Sequence, residues 1–300
     1  MLLEIFLHDI VPVFLIAGAG LALARGVGTQ VQALTHVVFY ILIPALVFEM
    51  LMTTPSLGAD APGLAAVAGL AMVSMVVIGA ALGAGLRLSR IDTRALLLIV
   101  TFSNTGNYGL PVVHLAFGDA ALARATVFFV ANSVLTYALG TLIAAGARGG
   151  NLEAWQRLWR LPTVQAVVLA LALRALGVTV PEPVMHPVSL LSDAALPTMI
   201  LVLGMQLYAA GWPTRLPLVA GAVAVSLVIS PLVAYGWCLV FGIDGPSRQA
   251  AVLLSSMPVA VTTTILAVEF DVSPALVTSA VLVSTVLSPL TLTPLIAWLG

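Results

Sequence analysis

The chain alternates long apolar runs with short polar breaks. Hydrophobic stretches fall near residues 10–24, 31–52, 63–86, 94–117 and 121–146, and again near 162–179, 187–209, 214–241, 247–269 and 273–299. About 20 apolar residues in a helix cross the roughly 30 Å hydrocarbon core of a bilayer. The pattern therefore predicts an all-α membrane protein of ten transmembrane helices. Its longest polar stretch, Ala147 to Arg160, stands in the middle of the chain. This divides the sequence into a first five-helix unit over 1–146, a linker over 147–160 and a second unit over 161–300.

The two units echo one another. Pro12 answers Pro162, Pro44 answers Pro197, Arg94 answers Arg248 and Asp119 answers Asp271, at offsets of 150, 153, 154 and 152 residues. Five spans is an odd number, so the second unit enters the membrane inverted relative to the first, an arrangement many transporters share. Two spans are also broken at corresponding places. The fourth contains Phe102-Ser103-Asn104-Thr105-Gly106-Asn107-Tyr108-Gly109-Leu110-Pro111, and the ninth contains Ser255-Ser256-Met257-Pro258. Glycine costs roughly 1 kcal/mol against alanine inside a helix and proline about 3. Hydrocarbon cannot solvate the backbone such a break exposes, so both breaks must be buried in protein or line a cavity.

Composition narrows the function classes. The chain is 61% hydrophobic and 8% charged, with a mean hydropathy of +1.15, whereas soluble domains carry about 25% charged residues. A net charge of −1 argues against nucleic acid as a partner, and the lone Cys238 excludes an internal disulfide. Glu4 and Asp9 stand where a secretory leader would be basic, which predicts a retained first span. Every basic residue is an arginine. Arg25, Arg87, Arg90, Arg94, Arg148, Arg157, Arg160 and Arg215 fall on one side of a ten-span chain, with Arg124, Arg174 and Arg248 on the other. That bias places the first set in the cytoplasm and both termini in the periplasm, for a protein of the bacterial inner membrane.

The breaks carry the candidate chemistry. Proline suits the first turn of a helix, so Leu110-Pro111 and Met257-Pro258 each predict a fresh helix start, capped by Asn107 and by Ser255 or Ser256. Helix starts expose unpaired N–H groups and the positive end of a dipole, which together bind an anion without any basic side chain. Asn104, Gly106, Asn107 and Pro111 in the first break, with Met257, Pro258, Val259 and Thr262 in the second, are the candidate substrate contacts. Asn132 in the fifth span and its counterpart Ser284 are candidate cavity-lining groups. The ionisable residues His114, Asp193 and Glu49 are candidates for proton coupling. No catalytic motif and no metal-spaced histidine pair is present, so the chain reads as neither an enzyme nor a metal or cofactor binder.

Asn104-Thr-Gly-Asn-Tyr-Gly-Leu-Pro111 resembles the fourth-helix motif of the auxin efflux carrier family. Leu196 to Gly204 resembles its seventh helix, Ser256 to Ala260 its ninth and Val281 to Thr285 its tenth. The resemblance covers essentially the whole chain. It implies ten helices in two inverted repeats, with broken helices 4 and 9 crossing between a scaffold (spans 1, 2, 6 and 7) and a transport domain (spans 3–5 and 8–10). That fold is shared with the bile acid–sodium symporters. It also implies an elevator-type carrier for a small organic anion such as malonate, malate or an auxin-like acid, contacted by Asn104, Asn107 and Asn132. The alternatives are a sodium-coupled, bile-acid-like organic anion symporter and a gated anion channel. Sodium or a proton is the candidate coupling ion, although no acid follows the ninth-helix break before Glu269. Membrane lipids and a second copy docked through the scaffold are the other expected partners. Only Ala147 to Arg160 stands where plant exporters carry a long cytoplasmic loop.

Overall fold

The computed structural model describes residues 2–27, 31–53, 60–145, 162–209 and 213–300, so the predicted linker lies outside the described residues. Within them the regular structure is helical. In chain order the helices are α1 (Leu2–Gly26), α2 (Val31–Thr53), α3 (Ala61–Gly85), α4 (Arg90–Thr101), α5 (Leu110–Ala145), α6 (Pro162–Ala175), α7 (Glu182–Ala209), α8 (Leu216–Val240), α9 (Gly245–Ser255), α10 (Thr262–Glu269) and α11 (Pro274–Leu299). Seven segments among the described residues are long and apolar enough to cross a membrane: α1, α2, α3, α7, α8, α11 and Thr105–Ala144. The protein is therefore a multi-pass membrane protein.

Four of the helix prolines, unlike Pro187, Pro197, Pro289 and Pro294, follow a widened turn. Widened π turns occupy Phe6–Ile10, Val38–Leu42, Thr105–Gly109 and Val225–Ile229. Each ends two residues before a proline, namely Pro12, Pro44, Pro111 and Pro231. A proline ring clashes with the carbonyl four residues back and offers it no N–H. Opening the preceding turn relieves the clash and lets the helix continue.

Backbone contact holds the bundle where side chains are smallest. A Cβ at Gly204 of α7 would lie 1.7 Å from the Ala17 carbonyl oxygen, and one at Gly20 of α1 would lie 2.1 Å from that of Leu201. The two helices touch main chain to main chain, as small residues permit in membranes. Gly79 and Gly83 of α3 instead receive side chains of α4, those of Val100 and Thr93.

The ends of α4, α8 and α11 are tied by charge. Arg215 grips Asp92 through two hydrogen bonds of 2.6 and 3.1 Å, Ser273 adds a third of 2.9 Å, and the Ser89 hydroxyl caps the helix at the Asp92 amide. The Arg215 guanidinium holds the Asp92 carboxyl below the usual carboxylate range.

Candidate functional site

The two predicted breaks meet. The Asn104 N–H donates to the Pro258 carbonyl at 2.7 Å and the Ala260 N–H donates to the Phe102 carbonyl at 2.9 Å. Ser103 and Val259 thereby face each other as an isolated antiparallel pair. Each unwound strand satisfies backbone groups of the other, where hydrocarbon would leave them bare. Pro258 fits because this pairing needs only its carbonyl. The Val259 N–H turns away and donates to the Ser284 hydroxyl at 3.0 Å, while that hydroxyl donates to the Val281 carbonyl at 3.1 Å. Gly109, at the end of the π turn, makes room for α9 beside the break, since a Cβ there would lie 2.5 Å from Leu254 Cδ2.

The helices restart elsewhere than at the two prolines. After the first break the chain re-enters helix at Thr105, through the π turn, so Pro111 lies one turn inside rather than at the start. After the second it re-enters at Thr262, leaving Met257 and Pro258 in the extended segment. The expected caps differ accordingly. Neither restart has a side-chain cap, and Ser256 donates to the Leu253 carbonyl at 2.7 Å instead. Pairing of the strands consumes the residues around each proline, which pushes the helix starts several residues downstream.

Two cavities flank the break. One, of about 80 Å³, is lined by Asn104, Gly106, Asn107 and Thr262 together with Thr35, Phe39, Phe129, Thr136 and Gln206, and none of its lining residues is charged. Asn104 Nδ2, Asn107 Oδ1 and Gln206 Oε1 are buried there without a hydrogen-bond partner. The start of α10 opens onto it at Thr262, so the positive end of its dipole faces the same space, while the Thr263 and Thr264 N–H groups donate to the Ala260 and Val261 carbonyls at 3.1 and 3.0 Å. The other cavity, of about 330 Å³, is lined by Glu49, Pro111, His114, Asp119, Ser192 and Asp193 among apolar side chains. It shares Glu49, Met50, Asp119 and Asp193 with a wider opening of about 640 Å³ that also reaches Asp60, Arg124 and Asp244. His114 Nδ1 lies 3.3 Å from Asp119 Oδ1 across a break in α5 at Gly118 (φ 71°), and Ser189 donates a hydrogen bond to Glu49.

The predicted site residues are thus divided. Asn104, Gly106, Asn107 and Thr262 line the neutral cavity, whereas Pro111, His114, Glu49 and Asp193 line the acidic one. Met257, Pro258 and Val259 are buried in the paired strand. Asn132 is buried behind Thr136, whose hydroxyl donates to Asn132 Oδ1 at 3.2 Å. Gln206 escapes sequence reasoning because it stands in α7, outside both breaks, and its one signal is being a lone amide in the apolar run Leu201–Tyr208.

The family described as "Membrane transport protein" matches residues 5–153 and 151–296. An uncharacterized transporter of Methanothermobacter thermautotrophicus is 28% identical over 264 residues, covering 86% of this chain and 85% of its own. An uncharacterized transporter of Methanocaldococcus jannaschii is 25% identical over 199 residues, 64% of either chain, so the match spans just under two thirds of that relative.

Proposed function

This chain belongs to the membrane transport protein family, the auxin efflux carrier-like transporters, and we propose that it is a secondary carrier for a small organic anion. The carboxylate is of malonate or malate type, or an auxin-like acid. In this reading the five-helix units are inverted repeats whose broken helices cross at the paired strands. The crossover bundle then slides against α1, α2, α6 and α7 to expose the site to each side of the inner membrane in turn.

One observation carries the reading. Asn104 and Asn107 are only 7% and 4% exposed, yet each keeps a buried polar atom without a partner. Buried polar groups are overwhelmingly hydrogen-bonded in native proteins, and the exceptions call for a reason such as a ligand. The start of α10 supports a negative ligand, since a helix N-terminus stabilises an anion that no basic side chain reaches. The grouping of His114, Asp119, Glu49 and Asp193 around the other cavity favours a proton as the coupling ion.

The test is transport by purified protein in proteoliposomes. Rapid addition of malonate, malate, pyruvate or indole-3-acetate on a solid-supported membrane reads electrogenic uptake, and isotope counterflow reads electroneutral exchange. A saturable signal for one acid, lost in Asn107→Ala at equal expression and folding, is the expected result. Wild-type flux in Asn107→Ala would reject the crossover site, and a current that never saturates would favour the channel.

A further inference from the structure

α7 reaches the neutral cavity with one polar side chain, Gln206. Its Oε1 is buried without a donor, like Asn107 Oδ1, while Asn104 Nδ2 is buried without an acceptor. Two hydroxyls of the same lining have already spent their protons. Thr35 donates to the Val31 carbonyl at 2.8 Å and Thr136 donates to Asn132 Oδ1 at 3.2 Å. A hydroxyl has a single proton, so both can offer a ligand nothing but lone pairs. Turning an amide over exchanges its nitrogen and oxygen without removing its acceptor from the lining, and it leaves the two threonines unchanged. Ser103, Thr105, Ser133 and Thr262 add hydroxyls that can turn either way, so it is the fixed lone pairs of Gln206, Thr35 and Thr136 that ask the occupant for hydrogen-bond donors as well as acceptors.

A fully ionised carboxylate without other polar groups carries acceptors alone. It suits Asn104 Nδ2 and the start of α10, but leaves the lone pairs of Gln206, Thr35 and Thr136 dry. Adding one hydroxyl to such an acid supplies the missing donor.

We propose that Gln206 is a specificity-determining residue and that the carried acid bears a hydroxyl group, whose proton it accepts. The inference rests on the carrier reading above and narrows its substrate class. Sites built to hydrogen-bond a hydroxyl discriminate far more strongly against the analogue that lacks it than apolar pockets do.

The experiment compares matched pairs, malate with succinate and lactate with propionate, by initial uptake and counterflow in proteoliposomes. Wild type, Gln206→Met and Gln206→Asn are assayed, with thermal melting and monodispersity as folding controls. The wild type is expected to favour the hydroxylated member of a pair by about tenfold or more in kcat/KM. Gln206→Met, similar in length but unable to accept that proton usefully, should bring the ratio to within about twofold by losing the hydroxy acid. Gln206→Asn, which keeps the amide, should retain part of the preference. Equal uptake of both members by the wild type overturns the inference and leaves the carrier standing, and it does so whether or not the variants fold. A preference that survives in folded Gln206→Met overturns the role of Gln206. Absence of uptake of every acid by the wild type removes the carrier reading and this inference with it.

Discussion

Tyr108 shows what single side chains do at the junction of the breaks. Its ring is fully buried and edge-on to Phe14, and its hydroxyl lies 2.9 Å from Ser288 Oγ on α11. Ser288 already donates its own proton to the Thr285 carbonyl at 2.8 Å, so Tyr108 must be the donor in the shared bond. Ser284 is used in the same way, spending its proton on its own helix and receiving the Val259 N–H. These two serines thus each convert a local back-bond into an acceptor aimed at a broken segment. Tyr108→Phe should lower unfolding stability by about 1–2 kcal/mol, the net worth of one buried hydrogen bond plus part of the penalty for a bare acceptor. Thermal or denaturant unfolding in detergent, closed into a double-mutant cycle with Ser288→Ala, checks it, and no coupling between the two would reject the bond. The sequence marks Asn104 and Asn107 plainly, because amides among apolar residues are costly anywhere in a membrane. It does not mark the partnership of Tyr108 with Ser288, whose members stand far apart in the chain, nor Gln206, whose meaning depends on two other amides being opposite.

At the scale of elements, the breaks and spans are legible while their exact turns are not. Glycine, amide and proline in one short stretch announce that a membrane helix cannot continue, and both announced breaks are present. Where helix resumes is decided by pairing between the strands, a contact of long sequence separation that local propensity cannot see. The π turns are legible in retrospect, since each is set by a proline two residues beyond it. At Thr105–Gly109 the widened turn also displays Gly106 and Asn107 to the neutral cavity. Restoring an N–H at position 111 would let the Asn107 carbonyl bond in ordinary α fashion and close that turn. Pro111→Ala should therefore melt no lower than the wild type, because a helix-interior proline costs about 3 kcal/mol against alanine. Transport should nonetheless fall about tenfold or more as the amides rotate out of place, a sensitivity expected of sites that need tight positioning. Normal flux with an unchanged melting temperature would show that the π turn is dispensable.

Across the whole molecule the two cavities lie on opposite sides of one packed barrier. Along α2, Phe39 lines the neutral cavity and Leu46 the acidic one, and along α7 Gln206 and Ile200 do the same. Between them Leu42, Ile43, Met199 and Leu203 are buried in a single apolar cluster. In the orientation that the arginine bias predicts, the acidic cavity and its wide opening face the periplasm, and the neutral cavity lies toward the cytoplasm. At about 80 Å³ the neutral cavity is far below the roughly 300–1,000 Å³ of a typical ligand pocket, so loading it requires the elements around it to part. The acidic side holds Glu49, Asp119 and Asp193 against His114, and its His114–Asp119 contact spans the break at Gly118, where α5 changes direction. Protonation of His114 would tighten that contact by turning it into an ion pair, and loss of the proton would release it. A proton taken up there would thus bias the angle between the two halves of α5, whose first half runs back through the π turn to the paired strand. Uptake driven by an imposed inward proton gradient should therefore weaken severalfold in His114→Gln, which keeps a polar side chain but cannot charge, while counterflow at equal pH persists. Measuring both modes in the same vesicles separates the roles. A gradient dependence identical to the wild type would reduce His114 to a packing residue, and loss of both modes together would place it in binding rather than coupling.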